Sequence, residues 1–157
     1  MCLVESIDIY AYTNPTFLTL NMEEFLRGYG EKKEECFFPL LYLIAPVVLS
    51  NKINKHLLHT NKKTEFISWL YKHPDIKLSL PQMIDRTKKY SNKAIVFGSQ
   101  IGIFKVNENG YISTITNKSK VKISKNNEMY LKYSHRLGYW IANLDESQLF
   151  LHIGVTL

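Results

Sequence analysis

The side chains from which a catalytic or metal site would be built are scattered through this sequence. Nucleophilic catalysis needs a serine or cysteine beside a base and an orienting carboxylate, and the sequence offers only isolated candidates such as Cys36, His135 and Asp145. His56 and His59 could supply two metal ligands, but no second pair completes a set, and Cys36 borders an apolar run, as small core residues do. Glycine-rich phosphate loops of the GxxxxGKS/T and GxGxxG kinds are missing from the sequence. We therefore predict that the chain is not an enzyme and holds no cofactor or metal of its own.

Basic residues offer a different chemistry, because they can contact the phosphates of a nucleic acid. The chain has a formal charge of +6, and residues 1–36 hold seven acidic and three basic residues, so the remainder has a balance of +10. The candidate DNA-binding residues are Arg86, Lys88, Lys89 and Lys93 on a predicted helix, and Lys118, Lys120, Lys122 and Lys125 after a predicted hairpin. Lysine suits phosphate contacts that ignore sequence, and the shortage of arginine argues against reading of bases. A basic surface that only keeps the protein soluble is the alternative.

The elements that would position these residues are mainly helical. Caps and breakers indicate helices from Asn14-Pro15 to Gly28 and Gly30, from Thr64 to His73-Pro74, from Ser79 and Pro81 toward Phe97, from Glu128 to Leu144, and from Asp145 to Gly154. Alternating β-branched and aromatic residues around Asn109-Gly110 predict a β-hairpin. A strand is the alternative for the last segment, LFLHIGV, because short apolar runs cannot be assigned by periodicity alone. We predict a single domain over residues 1–157, mainly α with one β-hairpin, which is an α+β fold.

Two helices followed by a hairpin are typical of a winged-helix domain. The helices that begin at Thr64 and Pro81 would form the pair, and the hairpin at Asn109-Gly110 would be the wing. Such domains place the second helix in the major groove of DNA, although the same scaffold also docks proteins. A free-standing winged-helix DNA-binding protein is therefore one functional hypothesis.

The segment FFPLLYLIAPVVL, residues 37–49, carries no charge. A transmembrane helix needs about 20 apolar residues, whereas this run is shorter, is flanked by Glu35 and Lys52, and contains Pro39 and Pro46. We predict a helix that is buried on all sides and kinked at Pro46, where a backbone hydrogen bond would be lost. Because no membrane span is predicted and the first residues do not resemble a signal peptide, we expect a cytoplasmic protein.

Several short phrases occur together along nearly the whole chain. In order, they are Asn14-Pro15, Phe38-Pro39-Leu40-Leu41 followed by Pro46, Trp69-Leu70, Ala94 with Phe97-Gly98 and Gly102, Arg136-Leu137-Gly138 with Trp140, and Gly154-Val155. Together they resemble the middle components of three-component ABC systems, the class that includes the small subunit of Lamassu-type antiphage defence. The usual end of the family is Gly-Val-Arg-Pro, whereas Thr156 and Leu157 follow here, so no role of that arginine carries over.

The resemblance implies a small non-catalytic subunit that bridges a large SMC-like ABC ATPase and an effector subunit, often a nuclease. ATP and Mg²⁺ would then be bound by the partner ATPase, and double-stranded DNA would be met through the complex. The ATPase would sense foreign DNA, and the small subunit would help to hold the effector inactive until then. The residues that we expect to bind partners are Phe38, Pro39, Leu40, Leu41 and Trp140, and the acidic N-terminal part would face a basic partner.

Overall fold

The computed structural model describes residues 11–115 and 124–155 of the chain. Its α-helices are α1 (Pro15–Gly30), α2 (Ile44–Val48), α3 (Asn51–Asn54), α4 (Phe66–Lys72), α5 (Pro74–Gln100), α6 (Lys125–Ala142) and α7 (Glu146–Ile153). Residues 11–13 are also helical, and 3₁₀-helices cover Phe38–Leu43 and Lys55–Leu57. The strands β1 (Cys36–Phe37), β2 (Phe104–Val106) and β3 (Tyr111–Thr114) form one antiparallel sheet. The prediction of a mainly α fold with a small antiparallel element, α+β, is confirmed.

Helix ends follow the capping signals of the sequence at most positions. The Asn14 side chain accepts two backbone N–H groups of the first turn of α1, at 3.1 and 3.4 Å. Asp145 caps α7 at 2.9 Å, and Gly154 ends it in the left-handed region with φ of 79°, so the alternative of a terminal strand is excluded. Thr64 is one exception, because the N-cap position of α4 is taken by Glu65.

Helices α1 and α6 pack side by side along most of their length. Their backbones touch because two glycines face the neighbouring helix. A Cβ atom on Gly138 would lie 2.0 Å from the Phe25 carbonyl oxygen, and one on Gly28 would lie 1.9 Å from the His135 carbonyl oxygen. Any side chain at either position would therefore push the two helices apart.

The same helix pair is also fixed by buried polar contacts. Ser134 on α6 donates a hydrogen bond of 2.7 Å to the Asn21 side chain on α1, and both residues are fully buried. Nearer the start of both helices, the Phe17 ring packs edge to face on Tyr130, with 5.7 Å between centroids. Since both contacts advance in the same order along the two helices, α1 and α6 run parallel.

The apolar segment at residues 37–49 differs in form from the prediction. Residues 39–50 are all buried, as expected, but the chain forms a 3₁₀-helix followed by α2 and no single kinked helix. Pro39 lies in the first turn of the 3₁₀-helix and Pro46 is the third residue of α2. The first N–H groups of an α-helix have no partner within that helix, so Pro46 removes no hydrogen bond of α2.

Helix α5 is longer than the sequence predicts. The signals at Ser79 and Pro81 predict a helix start there, yet α5 begins at Pro74 and runs for 27 residues with Pro81 inside it. The Ser79 hydroxyl donates to the Ile76 carbonyl oxygen of the same helix, so it does not cap a new one. The predicted boundary is wrong because packing of the apolar side of α5 outweighs the cost of an internal proline, about 3 kcal/mol.

The hairpin predicted at Asn109-Gly110 is confirmed. Strands β2 and β3 pair antiparallel with Val106 opposite Ile112, and Gly110 has a φ of 83° that suits glycine in the turn. Strand β1 pairs with the other edge of β3, so the strand order is β1-β3-β2. The winged-helix arrangement is not confirmed, because the predicted second helix is only part of α5 and the hairpin is joined to the N-terminal half of the chain through β1.

Candidate interaction surfaces

Four of the predicted DNA-binding residues lie on α5 and are exposed. Arg86, Lys89 and Lys93 follow each other at helical spacing and share one side of the helix. Lys88 lies beside them, with its Nζ atom 5.6 Å from the centroid of the Tyr42 ring. We call these four residues the basic face. Their cationic groups are accessible for contacts with phosphates.

The other four predicted DNA-binding residues follow the hairpin. Lys125 is the first residue of α6 and is exposed. Lys118, Lys120 and Lys122 lie outside the described residues. The structure therefore brings together the four cations on α5, and the contribution of the segment after the hairpin stays a prediction.

The five residues predicted to bind partners lie in the core or against it. Leu40, Leu41 and Trp140 are at most 2% exposed, and Pro39 is buried as well. Phe38 is half-buried, and its ring packs against the tip of the hairpin. Contacts within this chain account for their burial, so a partner would reach four of them only through the residues that cover them. Their role in partner binding stays a prediction.

The residues Arg136, Leu137, Gly138 and Trp140 hold neighbouring parts of the fold together. Arg136 Nη1 donates to a carbonyl oxygen and a hydroxyl of the segment 57–61, at 3.2 and 3.0 Å, and Trp140 Nε1 donates to the Asn61 carbonyl oxygen at 2.9 Å. Leu137 is buried in the core, while Gly138 forms the close contact with α1. These residues therefore attach both α1 and the segment 57–61 to α6.

A group of charged side chains lies at the edge of the α1–α6 contact. His135 on α6 is 3.3 Å from Glu24 through Nδ1 and 2.7 Å from Glu31 through Nε2. Lys62 is 2.8 Å from Glu31, and Arg27 forms an ion pair with Glu24. We call His135, Glu24, Glu31 and Lys62 the charged bridge, because they join α1, α6 and the segment before α4.

The charged bridge shifts the pKa values of its members. The hydrogen bond to Glu24, with that to Glu31, raises the pKa of His135 against the opposing effect of burial. The hydrogen bond to His135 lowers the pKa of Glu24, and Lys62 is the main cause of the lowered pKa of Glu31. A charged imidazolium between two carboxylates is the favoured state, which suits a structural cross-link better than a general base.

Exposed apolar side chains occur where α4, α5 and α7 meet. Leu78 on α5 and Leu151 on α7 are 80% and 81% exposed, and Tyr71 on α4 is 56% exposed. The Tyr71 hydroxyl lies 3.2 Å from His152 Nδ1, and Lys77 Nζ lies 5.3 Å from the Tyr71 ring centroid. Tyr71 thus links the neighbours of both leucines. We call Tyr71, Leu78 and Leu151 the apolar surface, and nothing in their sequence spacing distinguished them from core residues.

The candidates for catalysis and metal binding are not gathered into one site. Burial raises the pKa of the Cys36 thiol well above its ordinary value, which keeps it protonated in the core. In the ranges 11–115 and 124–155, no three His, Cys, Asp or Glu side chains are grouped in a way that could hold a metal ion. Within these same ranges, no helix has both the length and the apolar character needed to cross a bilayer.

These features define a mainly helical α+β protein with exposed charged and apolar surfaces suited to contacts with other macromolecules. Residues 6–157 match the family described as ABC-three component (ABC-3C) system Middle Component 3. The chain belongs to this family, which confirms the resemblance to the middle components of three-component ABC systems. It is accordingly an accessory subunit of a multi-component system and has partner subunits. No curated protein and no solved structure matches the chain.

Proposed function

We propose that this chain is a non-catalytic scaffold subunit that bridges an SMC-like ABC ATPase and an effector subunit in a Lamassu-like antiviral defence complex. The observation that carries the proposal is the family match, which covers residues 6–157 and so nearly the whole chain. The effector is expected to be a nuclease. ATP and Mg²⁺ are bound by the ATPase subunit, and this chain supplies contacts.

The exposed surfaces of the chain support a bridging role. The apolar surface of Tyr71, Leu78 and Leu151 exposes large hydrophobic side chains on three different helices. Tyrosine is enriched among the residues that contribute most to binding at protein interfaces, and exposed leucines add apolar area that a partner would remove from water. Among the described acidic residues of the first 36 positions, Glu34 and Glu35 are exposed outside the charged bridge, and they suit a basic surface of a second partner.

The mechanism that we propose is mechanical. Docking of the ATPase and the effector on the same rigid subunit holds the effector inactive. When the ATPase engages foreign DNA and its heads move, the contact with this subunit changes and the effector is released. The close α1–α6 contact supports this role, because a tightly packed helix pair transmits a displacement without deforming.

The basic face gives the complex a way to contact double-stranded DNA. Arg86, Lys88, Lys89 and Lys93 are exposed on one long helix, and Lys118, Lys120, Lys122 and Lys125 would add to them. Contacts of this kind bind the DNA backbone irrespective of sequence. The same basic face is what favours the second candidate, a free-standing DNA-binding protein.

Co-expression with the products of the neighbouring genes tests the proposal. We expect the purified chain to elute in an assembly with an ATPase and an effector. If the chain remains monomeric and bound to neither protein, the proposed scaffold function is contradicted. The free-standing alternative predicts instead that the isolated chain binds duplex DNA tightly, with an affinity that falls steeply as salt concentration rises.

A further inference from the structure

A cavity of about 590 Å³ lies between the segment before α4 and the end of α4, and its lining shares no residue with the basic face, the charged bridge or the apolar surface. Its lining contains an excess of basic side chains. These are Lys55, Lys63 and Lys72, with His56, His59 and His73. We call these six residues the histidine pocket.

Positive charge in the histidine pocket has little to balance it. Glu65 is the one acidic residue of the lining, and the hydroxyl of Ser68 donates to its carboxylate at 3.1 Å. Within the described part of the chain, none of the three pocket lysines forms an ion pair. Like charges gathered in a concave site create a positive potential that attracts anions.

The wall of the pocket is held in place by hydrogen bonds from side chains to backbone carbonyl oxygens. Trp69 Nε1 donates to the His56 carbonyl oxygen at 3.1 Å, and the Trp69 carbonyl oxygen lies 2.8 Å from His73 Nδ1. A carbonyl oxygen only accepts, so Nδ1 of His73 carries a proton. Nε2 is the nitrogen left for a ligand, and it donates to a phosphate only in the imidazolium form. The rings of His56 and His73 lie 4.7 Å apart between centroids. The two imidazoles are thus positioned before any ligand arrives.

The positive charge of the pocket comes from its lysines more than from His56. Burial lowers the pKa of His56, and the neighbouring His73 and Lys55 lower it further, which favours the neutral imidazole. The attraction for an anion therefore rests on Lys55, Lys63 and Lys72. The Thr64 hydroxyl lines the same cavity, whereas the hydroxyls of Thr60 and Ser68 already donate to the Leu57 carbonyl oxygen and to Glu65. Ammonium, imidazole and hydroxyl donors around one cavity are the groups that recognise a phosphate.

We propose that the histidine pocket binds a phosphate group, supplied either by a free nucleotide or by the backbone of a nucleic acid. Trp69 is only 3% exposed, so it offers no face for stacking of a base, and recognition is directed at the phosphate. The site is separate from the basic face: His73 precedes α5, and Arg86 is thirteen residues further on, which is about 20 Å along a helix. The inference does not rest on the proposed function.

Calorimetric titration of the full-length chain tests this inference, with pyrophosphate, ATP and a short single-stranded DNA oligonucleotide as separate probes. The pocket variant is K55Q/K63Q/K72Q. The control variant is K32Q/K105Q/K132Q, which removes the same charge from exposed positions outside both the pocket and the basic face. We expect the pocket variant to bind pyrophosphate at least about tenfold more weakly than the unmodified chain, as loss of one charge-assisted hydrogen bond would cause, and the control variant to change less than about twofold.

The probes distinguish the source of the phosphate. Pocket-dependent binding of ATP and pyrophosphate without the oligonucleotide indicates a free nucleotide, whereas pocket-dependent binding of the oligonucleotide indicates a nucleic acid. The inference is overturned if no probe binds, or if both variants lose affinity equally, because the effect is then one of overall charge. On the unmodified chain, pyrophosphate should also shift the NMR signals of the His56 and His73 rings, and unchanged signals would contradict the assignment.

Discussion

At the scale of single residues, His135 shows how one ionisable side chain can hold the fold together. Its imidazole lies between Glu24 and Glu31, and its pKa is raised above the ordinary 6.5. Stabilisation from a raised histidine pKa is complete below 6.5 and is lost as pH rises through the folded-state pKa. The two glutamates have pKa values lowered from 4.5, so their stabilisation is present above that pH and is lost as pH falls. The charged bridge should therefore stabilise the fold most between these two values.

Replacing His135 tests this account of the charged bridge. We expect H135Q to lower the free energy of unfolding by about 1 kcal/mol near pH 5.5, and by less near pH 8.5 where the imidazolium of the unmodified chain is lost. Urea denaturation at the two pH values measures the difference. H59Q is the control, because His59 is exposed. An equal loss at both pH values would show that His135 acts by packing alone.

At the scale of elements, the α1–α6 contact depends on two glycines. Gly28 and Gly138 each face a backbone carbonyl oxygen at a distance that leaves no room for a Cβ atom. Gly98 similarly faces the ring of Phe104, where a Cβ atom would lie 2.4 Å from ring carbons. The family phrases that contain Gly98 and Gly138 are thus explained by packing within this chain.

Substitution of Gly138 should be costly. In G138A the added methyl group meets the backbone of α1, which cannot rotate away, so we expect about 3 kcal/mol of destabilisation. Thermal unfolding followed by circular dichroism measures it. G30A is a matched control on α1, because nothing lies within 4 Å of a Cβ atom at Gly30. Equal stability of the two variants would contradict the close contact.

The position of the segment 57–61 should depend on the hydrogen-bond geometry of the Arg136 guanidinium and not only on its positive charge. Lysine at this position keeps the charge but cannot reproduce the geometry of the guanidinium bonds to the segment. We expect R136K to lower the free energy of unfolding by about 1 kcal/mol and to speed hydrogen exchange locally at residues 57–61. Exchange that increases evenly along the chain would instead indicate global destabilisation.

Much of this architecture can be predicted from the local sequence, and the predictions that are wrong have physical causes. Asn14, Asn109-Gly110 and Gly154 mark ends and turns correctly, because their backbone preferences are local. Pro81 leads to a wrong prediction of a helix start, because packing of the long apolar face of α5 outweighs the cost of one internal proline. Strand β1 gives no signal, because two residues have no period and their partner strand lies far along the chain.

At the scale of the whole molecule, residues of the family phrases and residues that a partner can touch are largely different. Leu40, Leu41 and Trp140 are buried, whereas Tyr71, Leu78 and Leu151 are exposed. The first group can be identified from the sequence because its pattern is distinctive. The second group cannot, because the exposure of a side chain depends on tertiary packing. The basic residues of α5 could be predicted, since charged side chains on a helix lie at the surface in most folds.

Charge reversal separates DNA contact from assembly. Replacing Lys88, Lys89, Lys118, Lys120 and Lys122 with glutamate should weaken DNA binding by the complex at least about tenfold while the complex stays intact. Electrophoretic mobility shift measures the first effect and size-exclusion chromatography the second. Disassembly of the complex would show that this surface docks protein. A variant with only Lys88 and Lys89 reversed isolates the contribution of α5.

Bridging of the ATPase and the effector is the central claim, and capture through a tagged effector tests it directly. The tagged effector and the ATPase are co-expressed with this chain, without it, and with its Y71S/L78S/L151S variant. We predict that the ATPase is captured in stoichiometric amount only when the unmodified chain is present, because the apolar surface forms part of the contact. Full capture of the ATPase in the absence of this chain would contradict the account.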